Sequence, residues 1–314
     1  MSAQILDGRK VANQLMEKYQ KMVGQLIKRN IQPRLLVFTS SDDPAGLAYS
    51  RAQEKAANDL GIIYEGVLLD ESTMLEDLLT DIDKVNLDPK ITAIIIQAPL
   101  PSHLESSVLL NRVDPIKDVE GLHAYNLGKL VTDKSELEPS TARGVIRLLQ
   151  AHDIQIEGQA VTILGMSKIV GMPLAIMLSH LDATVSLCHI KTPHLRDYIK
   201  DADILVSAMG NPHVIQAQDI KDQAVVVDVA MNQNEDGKFV GDVPYHQILD
   251  KVSAITPVPG GVGPMTVAMT MEQVIQCACL QHNLDFNDLL SEEDEIGRPR
   301  EKKLFNSNST HSLH

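Results

Sequence analysis

"EGQAVTILGMSKIVGMP", residues 157–173, reads as strand, turn and helix in that order. "AVTILG" is a short apolar run that stops at Gly165, and "MPLAIMLSHL" beyond the turn is helix-like. Backbone N–H groups at a helix start bind anions, and glycine lets a ligand come close. The generic dinucleotide fingerprint is G-x-G-x-x-G. Here Gly165, Ser167 and Gly171 give G-x-S-x-x-x-G. The turn alone thus leaves two readings open: a pyrophosphate cradle, or a tight turn that merely packs the helix.

The surroundings extend the pattern. Downstream, "TVSLC", "DILVSAM", "AVVVDVA" and "AITPV" are further strand candidates, at the spacing of a dinucleotide-binding α/β domain. Upstream, "RLLVFTS" and "TAIIIQAPLP" are apolar strands separated by helical stretches. Strands and helices alternating at wide spacing predict parallel sheets covered on both faces. Ligands in such sheets sit beyond the carboxyl ends of the strands. Gln97 ends "AIIIQ" and Tyr49 follows "LLVFT", so both are expected at one rim.

"AYSRAQEKAANDLGI", residues 48–62, reads as an exposed helix with Asp43 as cap, Pro44 in the first turn and Gly61 at the stop. Tyr49 and Gln53 share a face of it. "KVANQLMEKYQKMVGQLIKRN" sets Val11, Leu15, Tyr19, Met22 and Leu26 at helical spacing. "VAMTMEQVIQCACLQ" is a further helix, and the last residues are polar enough to be a mobile tail.

The bulk numbers exclude several classes. The 314 residues suffice for two domains with cores, and the formal net charge of −14 disfavours nucleic acid and anionic lipid as partners. Cys188, Cys277 and Cys279 have no disulfide or zinc-knuckle spacing, and His123 and His189 lack partners at ligand spacing, so no metal is expected. Without an apolar signal core or membrane span, the expected compartment is the cytoplasm.

"ILDGRKVA", "DDPAGLAYSRAQEKA", "IIIQAPLP", "DPIKDVEGLHAYNLGKL", "GMSKIVGMP" and "ITPVPGGVGPMTVAM" together resemble the methylenetetrahydrofolate dehydrogenase/methenyltetrahydrofolate cyclohydrolase family. The likeness runs in order from about residue 5 to about residue 283, as a two-domain plan would. It implies a parallel α/β folate domain over residues 1–140, completed by a C-terminal helix at 267–285. It implies a Rossmann-like NAD(P) domain over 141–266, leaving 286–314 as the tail. A homodimer paired through the nucleotide domains is also implied. The implied reaction oxidises 5,10-methylenetetrahydrofolate with NADP, or with NAD.

The resemblance assigns roles residue by residue. Tyr49 stacks on the pterin and aminobenzoyl region, Gln97 assists proton handling, and Pro259, Gly260 and Gly261 shape the substrate floor. Gly165, Met166, Ser167, Ile190 and Ala230 fall at the nucleotide. Several of these positions depart from the family pattern. The catalytic lysine's place holds Gln53, and Lys55 lies about 200° further round the helix. The pterin-binding aspartate is Glu120, with Asp118 beside it expected to be a surface acid. Met166 and Ile190 replace readers of the 2′-phosphate, with Lys168 and Lys191 nearby, and Ala230 replaces a glycine. Three readings follow: a dehydrogenase with doubtful cyclohydrolase activity, a silent folate- or nucleotide-binding relative, and an ordinary bifunctional enzyme.

Overall fold

The computed structural model describes residues 2–289 apart from 213 and 235. In the amino-terminal half, β1 (Gln4–Ile5) precedes α1 (Gly8–Lys28), β2 (Arg34–Ser40), α2 (Pro44–Leu60), β3 (Ile63–Leu69) and α3 (Leu75–Leu87). Then come β4 (Ala93–Ile96), α4 (Ser106–Leu110), α5 (Ala124–Val131) and α6 (Ser140–Ala151). The second half runs β5 (Ala160–Leu164), α7 (Gly171–Ser179), β6 (Thr184–Cys188), α8 (Leu195–Asp201), β7 (Ile204–Ser207) and β8 (Val225–Asp228). It closes with β9 (Asn232–Gln233), β10 (Phe239–Val240), α9 (Tyr245–Ile248), β11 (Ala254–Ile255) and α10 (Val262–Gln281).

Two parallel sheets result. One has the order β3-β2-β4, the other β1-β11-β8-β7-β5-β6, and β9 and β10 form a small antiparallel pair. The apolar runs make the central strands because both faces are covered. Every residue of β4 and of β7 is buried. Asp7 caps α1 by accepting from Lys10 N (3.1 Å), and Val11, Leu15, Tyr19, Met22 and Leu26 enter the core as their spacing predicts.

α10 is the central prop, packing on α1, α2 and α6. Its Glu272 meets Arg143 Nε (3.0 Å) and Arg147 Nη2 (3.4 Å) of α6, and Arg143 Nη1 also meets Glu138 (2.6 Å). At its far end Gln281 Nε2 donates to Thr92 O (2.7 Å), at the foot of β4. Among the described residues no helix is long and apolar enough to cross a membrane.

Some sequence expectations need correction. The amino terminus does not stay with the first sheet: β1 pairs in parallel with β11, at the edge of the second. α10 starts at Val262, not 267, because Pro264 sits in a first turn whose N–H groups have no intrahelical acceptor. Residues 286–289, assigned above to the tail, form a short 3-10 turn. Leu289 is buried there and its carbonyl accepts from Gln25 Nε2 (3.2 Å). The rest of the expected tail, 290–314, lies outside the described residues.

Candidate active site

The quoted helix is capped as expected: Gly46 N donates to Asp43 Oδ2 at 2.9 Å. It is exposed along Arg51, Glu54, Lys55, Asn58 and Asp59, while on the other face Tyr49 is half-buried and Gln53 buried. Gln53 is 0% exposed, and neither its Nε2 nor its Oε1 has a hydrogen-bond partner. A buried polar group left unpaired costs about 1–3 kcal/mol, so such an amide calls for a ligand. The Tyr49 hydroxyl adjoins this amide and the Thr270 hydroxyl of α10. Burial first, then the Glu120 charge, raises its pKa, so the phenol remains a protonated donor. Thr270 was missed in the sequence because only the fold brings α10 to α2.

Gln97 stands at the end of β4 and clamps the first turns of α2. Its Nε2 donates to Gly46 O (2.7 Å) and its Oε1 accepts from Ser50 Oγ (3.2 Å). Ser50 in turn lies 2.9 Å from Thr39 Oγ1. One N–H and one lone pair of the Gln97 amide remain for a ligand or water.

Glu120 follows Asp118, which is buried rather than at the surface. Asp118 Oδ2 accepts from His123 N (2.7 Å) and Asn126 Nδ2 (2.8 Å), which pins the loop. Gln273 of α10 holds the same loop, donating to Val119 O (2.7 Å) and Ser140 Oγ (3.0 Å) and accepting from Glu138 N (2.6 Å). Burial, and then repulsion from Asp118, push the Glu120 carboxyl up to about 8. His123 is a capping residue, its Nδ1 accepting from Tyr125 N (2.9 Å).

The nucleotide half is built on the quoted turn. Gly165 has φ +115°, and a Cβ there would come within 2.4 Å of Ala208 O. A Cβ on Gly171 would come within 1.8 Å of Gly165 O. The turn is therefore tight, and the first amides of α7 are engaged within it: Met172 N donates to Ser167 O (3.0 Å), and Pro173 has no N–H. Ser167 Oγ accepts from Val170 N (3.1 Å) and Gly171 N (3.5 Å), which leaves its proton free to donate. Adjacent strands β6, β5, β7 and β8 carry Ile190, Gly165–Ser167, residues 208–211 and Ala230 at their carboxyl ends. Ala230 is buried and its N donates to Asp228 Oδ1 (3.2 Å), so little of its methyl reaches the rim. These residues share one rim at the carboxyl ends of parallel strands, where ligands of such sheets sit.

The end expected to face a 2′-phosphate holds Met166, Ile190, Lys168 and Lys191. Met166 and Ile190 are 38% and 54% exposed. Lys168 and Lys191 are exposed as well. A charge-assisted bond is worth about 1.5–3 kcal/mol, roughly 10- to 150-fold in affinity. Met166→Arg should accordingly shift the NADP/NAD affinity ratio toward NADP by about that factor. Paired fluorescence titrations check this. A wild-type preference for NADP of a thousandfold or more would show that a lysine already reads the phosphate.

The two halves meet at a narrow crevice of about 10 Å³, room for one water, lined by Glu120, Leu122, Pro139, Ser140, Thr141 and Ile169. Ile169 belongs to the Gly165–Gly171 turn and Glu120 to the loop between α4 and α5. At the floor, Arg9 N donates to Gly260 O (3.1 Å) and Gly261 N to Pro257 O (2.8 Å), which fixes the Pro259–Gly261 turn between α1 and α10.

Comparison with known proteins agrees with this layout. Residues 6–120 match the family described as tetrahydrofolate dehydrogenase/cyclohydrolase, catalytic domain, and residues 139–282 match its NAD(P)-binding domain. The bifunctional protein FolD of Enterococcus faecalis is 41% identical over 274 residues, 87% of this chain and 98% of the relative. The bifunctional FolD structure from Campylobacter jejuni superposes with a TM-score of 0.86 at 37% identity, covering 88% of this chain and 99% of that one. The Trypanosoma brucei FolD structure, complexed with NADP cofactor and inhibitor, gives 0.85 at 31% identity, covering 88% and 98%. With both family domains present, and relatives of this identity aligned almost end to end, the chain belongs to the tetrahydrofolate dehydrogenase/cyclohydrolase family.

Proposed function

We propose that the chain oxidises 5,10-methylenetetrahydrofolate to 5,10-methenyltetrahydrofolate with NADP or NAD, and that onward hydrolysis to 10-formyltetrahydrofolate is weak. The observation that carries the reading is the buried Gln53 amide beside the Tyr49 hydroxyl, which leaves the expected lysine position without a titrating group. Hydride transfer needs two ligands held in line more than it needs a protein acid.

The nicotinamide cofactor, when bound, supplies the hydride acceptor. The chain's residues bind and orient. Tyr49 offers its ring to the flat folate and keeps its hydroxyl protonated. Gln53 offers an unspent donor and an unspent acceptor. Glu120 faces the pterin edge, and Gly165, Ser167 and Gly171 shape the pyrophosphate turn. Gln53 cannot exchange a proton near neutral pH, whereas the family's lysine can, so the hydrolytic step lacks its proton carrier. We infer further that the chain works in the cytoplasm as a homodimer paired through the nucleotide half.

Absorbance assays test the reading. NAD(P)H should form from 5,10-methylenetetrahydrofolate, while added 5,10-methenyltetrahydrofolate should lose its chromophore little faster than in buffer. No NAD(P)H would favour a silent binding relative, and fast chromophore loss a fully bifunctional enzyme. Tyr49→Ala should weaken folate binding by about 10-fold or more and leave nucleotide binding unchanged. Equal losses at both sites would mean that the fold was damaged.

A further inference from the structure

At the carboxyl end of β7, beside the phosphate turn, lies a second set of converging donors. Asp242 follows β10 and is completely buried. Its Oδ2 accepts from Ser207 Oγ (2.7 Å), Met209 N (2.9 Å) and Gly210 N (3.2 Å). Its Oδ1 accepts from Asn211 N (2.7 Å) and Asn232 Nδ2 (3.0 Å). Three successive backbone N–H groups around an anion form a nest of the kind that also binds phosphate. Here the nest is already filled by the chain's own carboxylate.

The backbone next to that carboxylate is held from below. Asp228, at the end of β8, accepts from Val243 N (2.9 Å) and Ala230 N (3.2 Å). The linkage therefore runs from the end of β8 through Asp242 to residues 207–211. It ends at Ala208 O, the atom against which Gly165 packs.

We propose that Asp242 is a positioning residue of the nucleotide site: it fixes the rim loop 207–211 and Asn232 in the arrangement that backs the Gly165–Gly171 turn. The proposal rests on the nucleotide reading given above. Asp242 touches no substrate; it acts through the loop. An unfilled nest would leave three N–H groups without an acceptor, and the loop would move to find water.

The test uses the full chain with Asp242→Asn, which keeps the size but turns an amide N–H₂ toward donors. NAD and NADP should each bind about 10- to 100-fold more weakly, the loss that goes with one or two hydrogen bonds left unmade. Affinity for 5,10-methenyltetrahydrofolate should stay within about twofold, and amide exchange should quicken at residues 208–211. Ile248→Val, which trims a fully buried side chain of the same core, reports what stability loss alone does. If Asp242→Asn does not fold, Ser207→Ala removes one donor and should still weaken nucleotide about fivefold. Unchanged exchange at 208–211, or a nucleotide loss no larger than that of Ile248→Val at equal loss of Tm, would overturn the proposal. If the wild type bound neither NAD nor NADP, the nucleotide reading would fall on its own, while the exchange measurement would still decide whether Asp242 orders the loop.

Discussion

Gln53→Lys should raise hydrolysis of 5,10-methenyltetrahydrofolate by about 10²–10⁴-fold, the usual worth of one positioned acid–base group. That corresponds to roughly 3–5 kcal/mol of barrier. The site is otherwise assembled. Tyr49 adjoins position 53 and Thr270, and Gln97 is clamped by Gly46 O and Ser50. The new ammonium would enter a spot that is 0% exposed. Burial lowers a lysine's pKa and a neighbouring carboxylate raises it. Here burial dominates, because Glu120, the acid beside Tyr49, is itself protonated up to about 8. Burial moves the new lysine down toward the range in which it can give and take a proton. The hydride step should change only a few-fold, since it asks for alignment rather than proton transfer. Loss of methenyl absorbance measures the first effect and NAD(P)H formation the second. A smaller gain than expected would trace to Glu120, whose extra methylene displaces the carboxylate, and Glu120→Asp in the same background should restore it. If wild type already hydrolysed the substrate at a rate the double variant did not exceed, the lysine argument would be wrong.

What the sequence could and could not show follows from range. β2, β4, β5, β7 and β8 are apolar runs whose character is local, and they are where the runs predict them. β3 escapes such a reading because it is a sheet edge with Val67 and Leu68 exposed, so its pattern of burial does not alternate. β1 has only two residues and exists because β11 offers them an edge. The site divides in the same way. Tyr49, Gln53 and the glycine turn are legible because one helix and one loop carry them. That Gln53 is buried is not legible, because α10 covers it from the other end of the chain. Asp118 reads as a surface acid until His123 N and Asn126 close over it. Asp242 shows least of all: an acid after a glycine in a polar stretch, whose five donors come from the 207–211 loop and from Asn232.

Folate affinity should rise with pH and level off near 8, because Glu120 must ionise to hold the N–H donors of the pterin edge. Burial, aided by the Asp118 charge, keeps this carboxyl protonated up to about 8 in the free protein. Bound donors favour the carboxylate, so binding expels the proton. Each pH unit below 8 should then weaken binding by about 10-fold, down to the carboxyl's pKa in the complex. Between pH 6 and 8.5 the expected change is about 100-fold. Glu120→Gln should flatten the profile at the weak end. Glu120→Asp should keep the slope, since the acid and its neighbour Asp118 remain. Stability moves the other way. A carboxyl whose pKa is raised on folding contributes stability that is fully present below its ordinary pKa and is lost as pH rises through about 8. Glu120→Gln should therefore match wild type in acid and exceed it in Tm above pH 8. Asp228, pushed up to about 7 by burial and by Asp242, also titrates in this range, but on the nucleotide side. Its contribution survives in Glu120→Gln and can be subtracted. A folate-binding profile that keeps its full slope in Glu120→Gln would show that another group takes up the proton.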